Sequence, residues 1–350
     1  MSVPTSTRQW VLSRHPTGLP VLDGPEATFS LQTVDLPPIG DNQVLVRTRY
    51  FSNDPAQRGW IGNVMPERMY IAPVKLGEFM KSGGIAEIVE SKAAGFEKGK
   101  LVTAFALGWR EYAVLDAKDL SLVPEVEGIK ETQYLGALGF TGLTGYYGIK
   151  EIAEAKPEHV VVVSGAAGAT GSMAVQIAKK LIGCKKVIGI AGGDSKCAWV
   201  KSIGADECLN YKSPTFRKDL KAATPDYADV YFDNVGGEIL DMMLPRMKQG
   251  GVVAVCGAIS AYNSTEGQLL RNWSEVITMR LQMKGFIMLD FLAQGKAKDT
   301  VMELATAAKQ GKLTIGDENE TVVEAKFEDV PKTWLTLFEG GNTGKLVTKL

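Results

Sequence analysis

Residues 160–182 restrict the fold of this chain more than any other stretch. Val160, Val161, Val162 and Val163 run into Ser164, Gly165, Ala166, Ala167, Gly168, Ala169, Thr170, Gly171 and Ser172. The valines predict an apolar strand, because β-branched side chains pack well on a pleated surface. Beyond the glycines, Ala174, Ile177, Ala178 and Leu181 recur at helical spacing on one face. A strand therefore hands over to a helix through a glycine-rich turn, which is the opening of a βαβ unit and implies a parallel sheet.

This is the context in which a dinucleotide fingerprint has physical meaning. Backbone N–H groups at a helix N-terminus neutralise a pyrophosphate. Gly168 lets the backbone approach the phosphates, and Gly171 lets helix and strand pack closely. Ala166 replaces the first glycine of G-x-G-x-x-G, so a merely tight structural turn is the competing reading. In an NAD site, an acid near the end of the second strand accepts from the ribose 2′-hydroxyl. The second apolar run, 186–190, ends instead in Ala191, Gly192 and Gly193, with Lys196 shortly after. That favours a 2′-phosphate and hence NADPH, although Asp194 lies close by and Lys196 also reads as a solvated helix start.

The flanking sequence supplies the rest of such a sheet. Runs at 159–163, 186–190, 207–209, 229–232, 252–256 and 282–286 alternate with helical stretches, as six strands of a doubly wound α/β sheet do. From Val44 to Leu122 the pattern differs: short β-rich runs such as 44–50 and 85–89 are separated by Gly, Pro and Lys, which reads as an antiparallel or barrel-like region. The change falls near Val126 to Lys130. After a helical segment at 300–309, β-like runs return at 321–325 and 345–348, separated by 334–338, and this tail has the character of the first region. The expected division is 1–130, 131–310 and 311–350.

Composition narrows the function classes. A chain of 350 residues with 45% hydrophobic and 23% charged residues is an ordinary globular one, long enough for two domains. Its net charge of −1 leaves no electrostatic footprint for nucleic acid or an anionic membrane. No apolar run is long enough for a secretory leader or a bilayer span, so a soluble cytoplasmic protein is expected. Thr348, Lys349 and Leu350 are near a peroxisomal tripeptide, but Thr replaces the usual Ser and the segment reads as a last strand. Cys184, Cys197, Cys208 and Cys256 have no close-paired spacing, and His15 and His159 are the only histidines. Neither a disulfide framework nor a metal site is expected.

Four ordered stretches resemble one family: the glycine turn, residues 231–237 (YFDNVGG), 256–263 (CGAISAYN) and 342–345 (NTGK). Together they are similar to the medium-chain dehydrogenase/reductase superfamily, and within it to the zinc-independent leukotriene B4 12-hydroxydehydrogenase, or prostaglandin and alkenal double-bond reductase, family. The resemblance implies a GroES-like, mostly-β catalytic domain, formed by the N-terminal part and the C-terminal tail. A Rossmann doubly wound parallel sheet is inserted between them, the active site lies in the cleft, and the protein is a homodimer. It further implies that Ala167, Gly168, Ala169, Thr170 and Gly171 hold the pyrophosphate and that Lys196 and Tyr211 bind the 2′-phosphate. Asn234, Cys256, Gly257, Ala258, Ile259, Ser260, Phe286, Ile287, Met288 and Asn342 would line the cofactor.

Several of these positions also have structural readings. Asn234 suits a helix cap near Gly236, Phe286 to Met288 suit a plain core, Asn342 between glycines suits a turn, and Tyr211 suits a half-buried strand end. Tyr262 is the candidate catalytic donor to an enolate oxygen, with a locally satisfied buried ring as its alternative. The sequence departs from the family pattern D-P-Y-x-R at Ala56, within Asp54, Pro55, Ala56, Gln57 and Arg58. Any contact which that tyrosine makes in relatives is missing here, and Asp54 and Arg58 read as structural. The implied activity is NADPH-dependent reduction of the double bond of a small enal or enone. Quinone reduction, a biosynthetic enoyl reduction and NADPH binding without turnover stand as alternatives.

Overall fold

The computed structural model describes residues 3–350 and divides the chain into two units. The first comprises the chain up to Leu135 with Thr321–Asn342 and Leu346–Leu350; the second comprises Gly136–Glu320 with Thr343–Lys345.

The first unit is antiparallel. Strands β1 (Ser6–Leu12) and β2 (Phe29–Asp35) pair along their whole length, from Ser6 opposite Asp35 to Leu12 opposite Phe29. The sequence reading, which began its β region at Val44, missed this ribbon. The main sheet contains β3 (Gln43–Ser52), β4 (Gly84–Ser91), β5 (Leu101–Ala104) and β7 (Leu120–Leu122), with β6 (Tyr112–Asp116) paired to β3. Its core is aromatic: Trp109 lies 5.1 Å from Phe29 and 5.6 Å from Trp334, all edge-on. Such offset geometries place the positive ring edge against a negative face. The chain returns here through the Val330–Glu339 helix, which carries Trp334, and through a last strand whose Val347, Thr348 and Lys349 pair with β3.

In the second unit six parallel strands follow one another: β8 (Val160–Ser164), β9 (Lys186–Ala191), β10 (Glu207–Asn210), β11 (Ala228–Asp233), β12 (Met247–Val255) and β13 (Gln282–Gly285). Their order in the sheet is β10-β9-β8-β11-β12-β13, the doubly wound Rossmann order with its reversal at β8. Every residue of β8 is buried, which is why its valines are continuous rather than alternating: helices cover both faces of a parallel sheet. Strand bounds differ from the sequence reading at their ends. His159, Cys256 and Phe286 fall outside their strands, and β12 begins at Met247 rather than Val252. The tail strands are β14 (Glu320–Glu324) and β15 (Lys345–Lys349), which extend the antiparallel sheet.

Candidate functional site

Because all six strands of the second unit run in one direction, their carboxyl ends share one edge of the sheet. The loops leaving those ends contain every expected site residue but one. After β8 comes the glycine turn, after β9 the segment with Lys196, and after β10 Tyr211. Asn234 follows β11, Cys256 to Tyr262 follow β12, and Phe286 to Met288 follow β13. Asn342 belongs to the first unit. Two residues on, within the second unit, the Gly344 N–H donates to the Ala167 carbonyl at 2.8 Å.

The glycine turn is shaped for close approach. The helix Ala169–Gln176 starts at Gly168 with no side-chain cap, so its first-turn N–H groups point out of the helix end unsatisfied by any capping residue. A Cβ on Gly171 would lie 2.2 Å from the Gly165 carbonyl oxygen; only glycine lets helix and turn touch there. A Cβ on Gly168 would meet Gly165 O at 3.2 Å and nothing else within 4 Å, so it would stand in the open mouth of the turn. An uncapped positive helix end behind a space that a methyl group would fill fits a pyrophosphate. The chemistry of these residues therefore fits a dinucleotide.

Beside it, Tyr211 lies across Gly192, where a Cβ would be 2.8 Å from the ring and 2.9 Å from the hydroxyl. Tyr211 is 45% exposed, which leaves one face of a strand-end aromatic toward solvent. Burial, and then the nearby Lys212 ammonium, push Lys196 below the usual lysine range.

On the other side of β8, an acid organises the loops. Asp233, fully buried at the end of β11, accepts through Oδ1 from the Ser164 hydroxyl (2.9 Å), the Tyr231 hydroxyl (2.8 Å) and the N–H groups of Val235 and Gly236 (both 3.0 Å). Burial and this carboxylate hold the Tyr231 phenol well above its ordinary range. Asn234 does not cap the next helix, whose Gly236 and Gly237 N–H groups donate to Asp233 Oδ1 and Gln268 Oε1; its Nδ2 instead donates to the Ser164 carbonyl at 2.7 Å. The sequence reading offered a cap only as the structural alternative for Asn234, and it overlooked Asp233, one residue earlier in the same motif.

The loop after β12 is laced to this segment. Cys256 and Gly257 N–H groups donate to the Asp233 carbonyl, Ile259 N–H to Asn234 O, and Ser260 N–H to Val235 O. The Cys256 thiol is pushed up to about 12 by burial and by the Asp233 charge, which keeps it protonated and poorly nucleophilic. Tyr262 closes the loop: its phenolic oxygen accepts from the Ala258 N–H at 3.3 Å. Phe286 and Met288 are buried, with Phe286 edge-on to Tyr147 and Phe232, whereas Ile287 is half-buried. Their side chains are core, so only the backbone and Ile287 extend the edge.

In the first unit, Arg58 donates to the carbonyls of Gly18 (2.8 Å) and Pro16 (3.0 Å), and Asp54 accepts from Ser52 Oγ. Ala56 packs on the aromatic core. Among the described residues no three His, Cys, Asp or Glu side chains group as a metal ion would require, and no helix is long and apolar enough to cross a membrane.

Residues 8–123 match the family described as the N-terminal domain of oxidoreductase, and residues 169–307 that described as zinc-binding dehydrogenase. The donor set of the described residues does not fit zinc. Over 346 residues the chain is 36% identical to prostaglandin reductase 1 of Mus musculus, covering 98% of each. It is 33% identical to the NADPH-dependent curcumin reductase of Escherichia coli, covering 98% of this chain and 96% of that one. The crystal structure of CurA in complex with NADPH from Vibrio vulnificus superposes with a TM-score of 0.87 at 33% identity over 98% of both chains. An uncapped glycine turn at the switch point of a six-stranded sheet, together with likeness over nearly the whole length, gives the conclusion: this chain belongs to the zinc-independent double-bond reductase family of the medium-chain dehydrogenase/reductase superfamily.

Proposed function

We propose that the protein reduces the carbon–carbon double bond of α,β-unsaturated aldehydes and ketones. At the coarser level it is an NADPH-dependent double-bond or quinone oxidoreductase, and its cofactor is NADPH. Residues 167–171 hold the pyrophosphate, Lys196 and Tyr211 the 2′-phosphate, and Asn234, Cys256 to Ser260, Phe286 to Met288 and Asn342 line the nucleotide. The relatives named a prostaglandin reductase and a curcumin reductase support the substrate class.

Bound NADPH supplies a hydride, which the substrate receives at its β-carbon, leaving negative charge on the carbonyl oxygen. The observation that carries the proposal is the hydrogen bond from Ala258 N–H to the Tyr262 phenolic oxygen. A hydrogen bond into the phenolic oxygen polarises its O–H, because hydrogen bonds in series strengthen one another. Tyr262 donates that hydrogen bond to the enolate oxygen, an interaction that grows as charge develops. Water delivers the proton to the α-carbon. The raised Cys256 thiol remains unreactive beside an electrophilic substrate. The working assembly is a homodimer in the cytoplasm, and light scattering on the purified protein checks the dimer.

A panel of enals, enones and quinones, followed by NADPH absorbance, tests this reading. Oxidation with enals and enones is expected. Turnover of quinones alone would assign quinone reduction, and tight NADPH binding without any oxidation would remove the enzymatic reading.

A further inference from the structure

The loops after β9 and β10 are joined by one side chain that the sequence reading did not single out. Asn210 is the last residue of β10, in register with Ala191 at the end of β9. Its Oδ1 accepts from the Gly193 N–H and from the Lys212 N–H, both at 3.0 Å. Its Nδ2 donates to Asp194 Oδ1 at 2.9 Å. Both halves of the amide are therefore used, and they face three different residues of two loops. Gly193 meets this acceptor from a backbone with φ 119°, a conformation that L side chains rarely adopt, so the turn and the amide fit each other.

Asp194 is the sole carboxylate just after β9, where an acid ordinarily accepts from a ribose 2′-hydroxyl and repels a 2′-phosphate. The amide N–H occupies one oxygen of that carboxylate and ties it toward β10. The same residue fixes the backbone at Lys212, next to the Tyr211 ring that lies over Gly192. Lys196 follows Asp194 by two residues in the Asp194–Ser202 helix.

The geometry points to Asn210 as a positioning residue that sets preference for the 2′-phosphate over the 2′-hydroxyl, by restraining Asp194 and by placing Lys212 as a second cation beside Lys196. This deepens, and rests on, the assignment of Lys196 and Tyr211 to the 2′-phosphate. Asn210 acts through its neighbours and need not touch the cofactor.

Asn210→Asp is the discriminating change. It keeps an oxygen for the two backbone N–H groups, removes the donor to Asp194 and sets a second carboxylate against it. Dissociation constants for NADPH and NADH are measured on the substrate-free protein by calorimetry, with thermal unfolding as a check on folding. The expected result is at least about a tenfold loss for NADPH with NADH changed less than about threefold, since 1.4 kcal/mol of charge repulsion is a factor of ten. The exchanged pair Asp194→Asn with Asn210→Asp restores one amide and one carboxylate at the original total charge. NADPH affinity should return to within about threefold of wild type, and this pair serves also if the single variant does not fold. Equal losses for both cofactors, no loss at all, or an exchanged pair that folds and does not recover would overturn the proposal. Lys196→Ala separates the two levels. If it weakens both cofactors equally, the phosphate pocket itself is wrongly assigned; if it is selective while Asn210→Asp is not, only the role of Asn210 fails.

Discussion

The two units use buried polar groups in opposite ways. In the antiparallel unit they hold the chain to itself: Asn53 donates to Thr348 Oγ1 at 2.9 Å, Gln57 to the Lys81 carbonyl at 2.9 Å, and Arg58 to Gly18 and Pro16. In the parallel unit they hold loops that face outward from strand ends, as Asp233 does, and half-buried Asn210 does the same. The difference follows from strand direction. Antiparallel neighbours alternate their ends, so no edge collects the loops, whereas six parallel strands deliver all theirs to one edge. Chemistry-bearing residues of the second unit are gathered there without any single motif containing them.

Breaking the edge at its narrowest point should have the largest effect. Gly171→Ala puts a methyl group 2.2 Å from the Gly165 carbonyl oxygen, and the turn must shift. Calorimetry should show NADPH affinity reduced about 100-fold or more, the worth of roughly two charge-assisted contacts, with stability lowered by about 3 kcal/mol from overpacking. Near-normal affinity would mean that the turn does not hold the pyrophosphate.

Tyr262→Phe preserves the ring and removes the donor. Turnover on a good enone should fall about 100- to 1,000-fold, while NADPH affinity stays within about threefold. A variant with wild-type turnover would return Tyr262 to the plain role of a locally satisfied ring.

Lys196→Ala comes next, with NADPH weakened about 10- to 100-fold and NADH little changed, as for a charged contact of about 1.5 to 3 kcal/mol. The pH dependence has a definite sign. Lys196 loses its proton below the usual lysine range, so the preference for NADPH is present while the ammonium is charged and declines as pH rises through that lowered value. A phosphate loses its second charge below about pH 6, which weakens the preference on the acid side. A flat ratio of the two dissociation constants across pH would contradict the pocket's electrostatics.

Arg58→Lys, in the antiparallel unit, should have the smallest effect on cofactor binding. Losing the fork that reaches the Gly18 and Pro16 carbonyls should lower unfolding stability by about 2 kcal/mol, read by denaturant titration. Both cofactor affinities should stay at wild-type values, and a change in their ratio would blur the contrast between the units.

Local signals carried much of this into the sequence. The run of valines, the glycines and the helical spacing after them are contiguous, so β8, its turn and its helix were legible together. The loop after β12 was legible because residues 256–263 form one motif. What was hidden depends on pairing between distant segments. Asn210 matters only because β9 and β10 set it opposite Ala191, and nothing within its own run marks it. Asp233 and Asn234 are adjacent and similar in kind; which one serves the next turn depends on where Ser164 arrives from β8. The β1–β2 ribbon escaped because residues 13–28 separate its strands and its alternation is weak, with half-buried Gln9 opposite Gln32.

The proposed reaction is reduction, at the edge of the parallel sheet, of a carbon–carbon double bond conjugated to a carbonyl. NADPH carrying deuterium on its transferable position, incubated with an enone and the enzyme, tests it in one NMR spectrum. A saturated ketone with deuterium at the β-carbon and solvent-derived hydrogen at the α-carbon is expected. Deuterium on the former carbonyl carbon of an allylic alcohol, or none in any product, would contradict it.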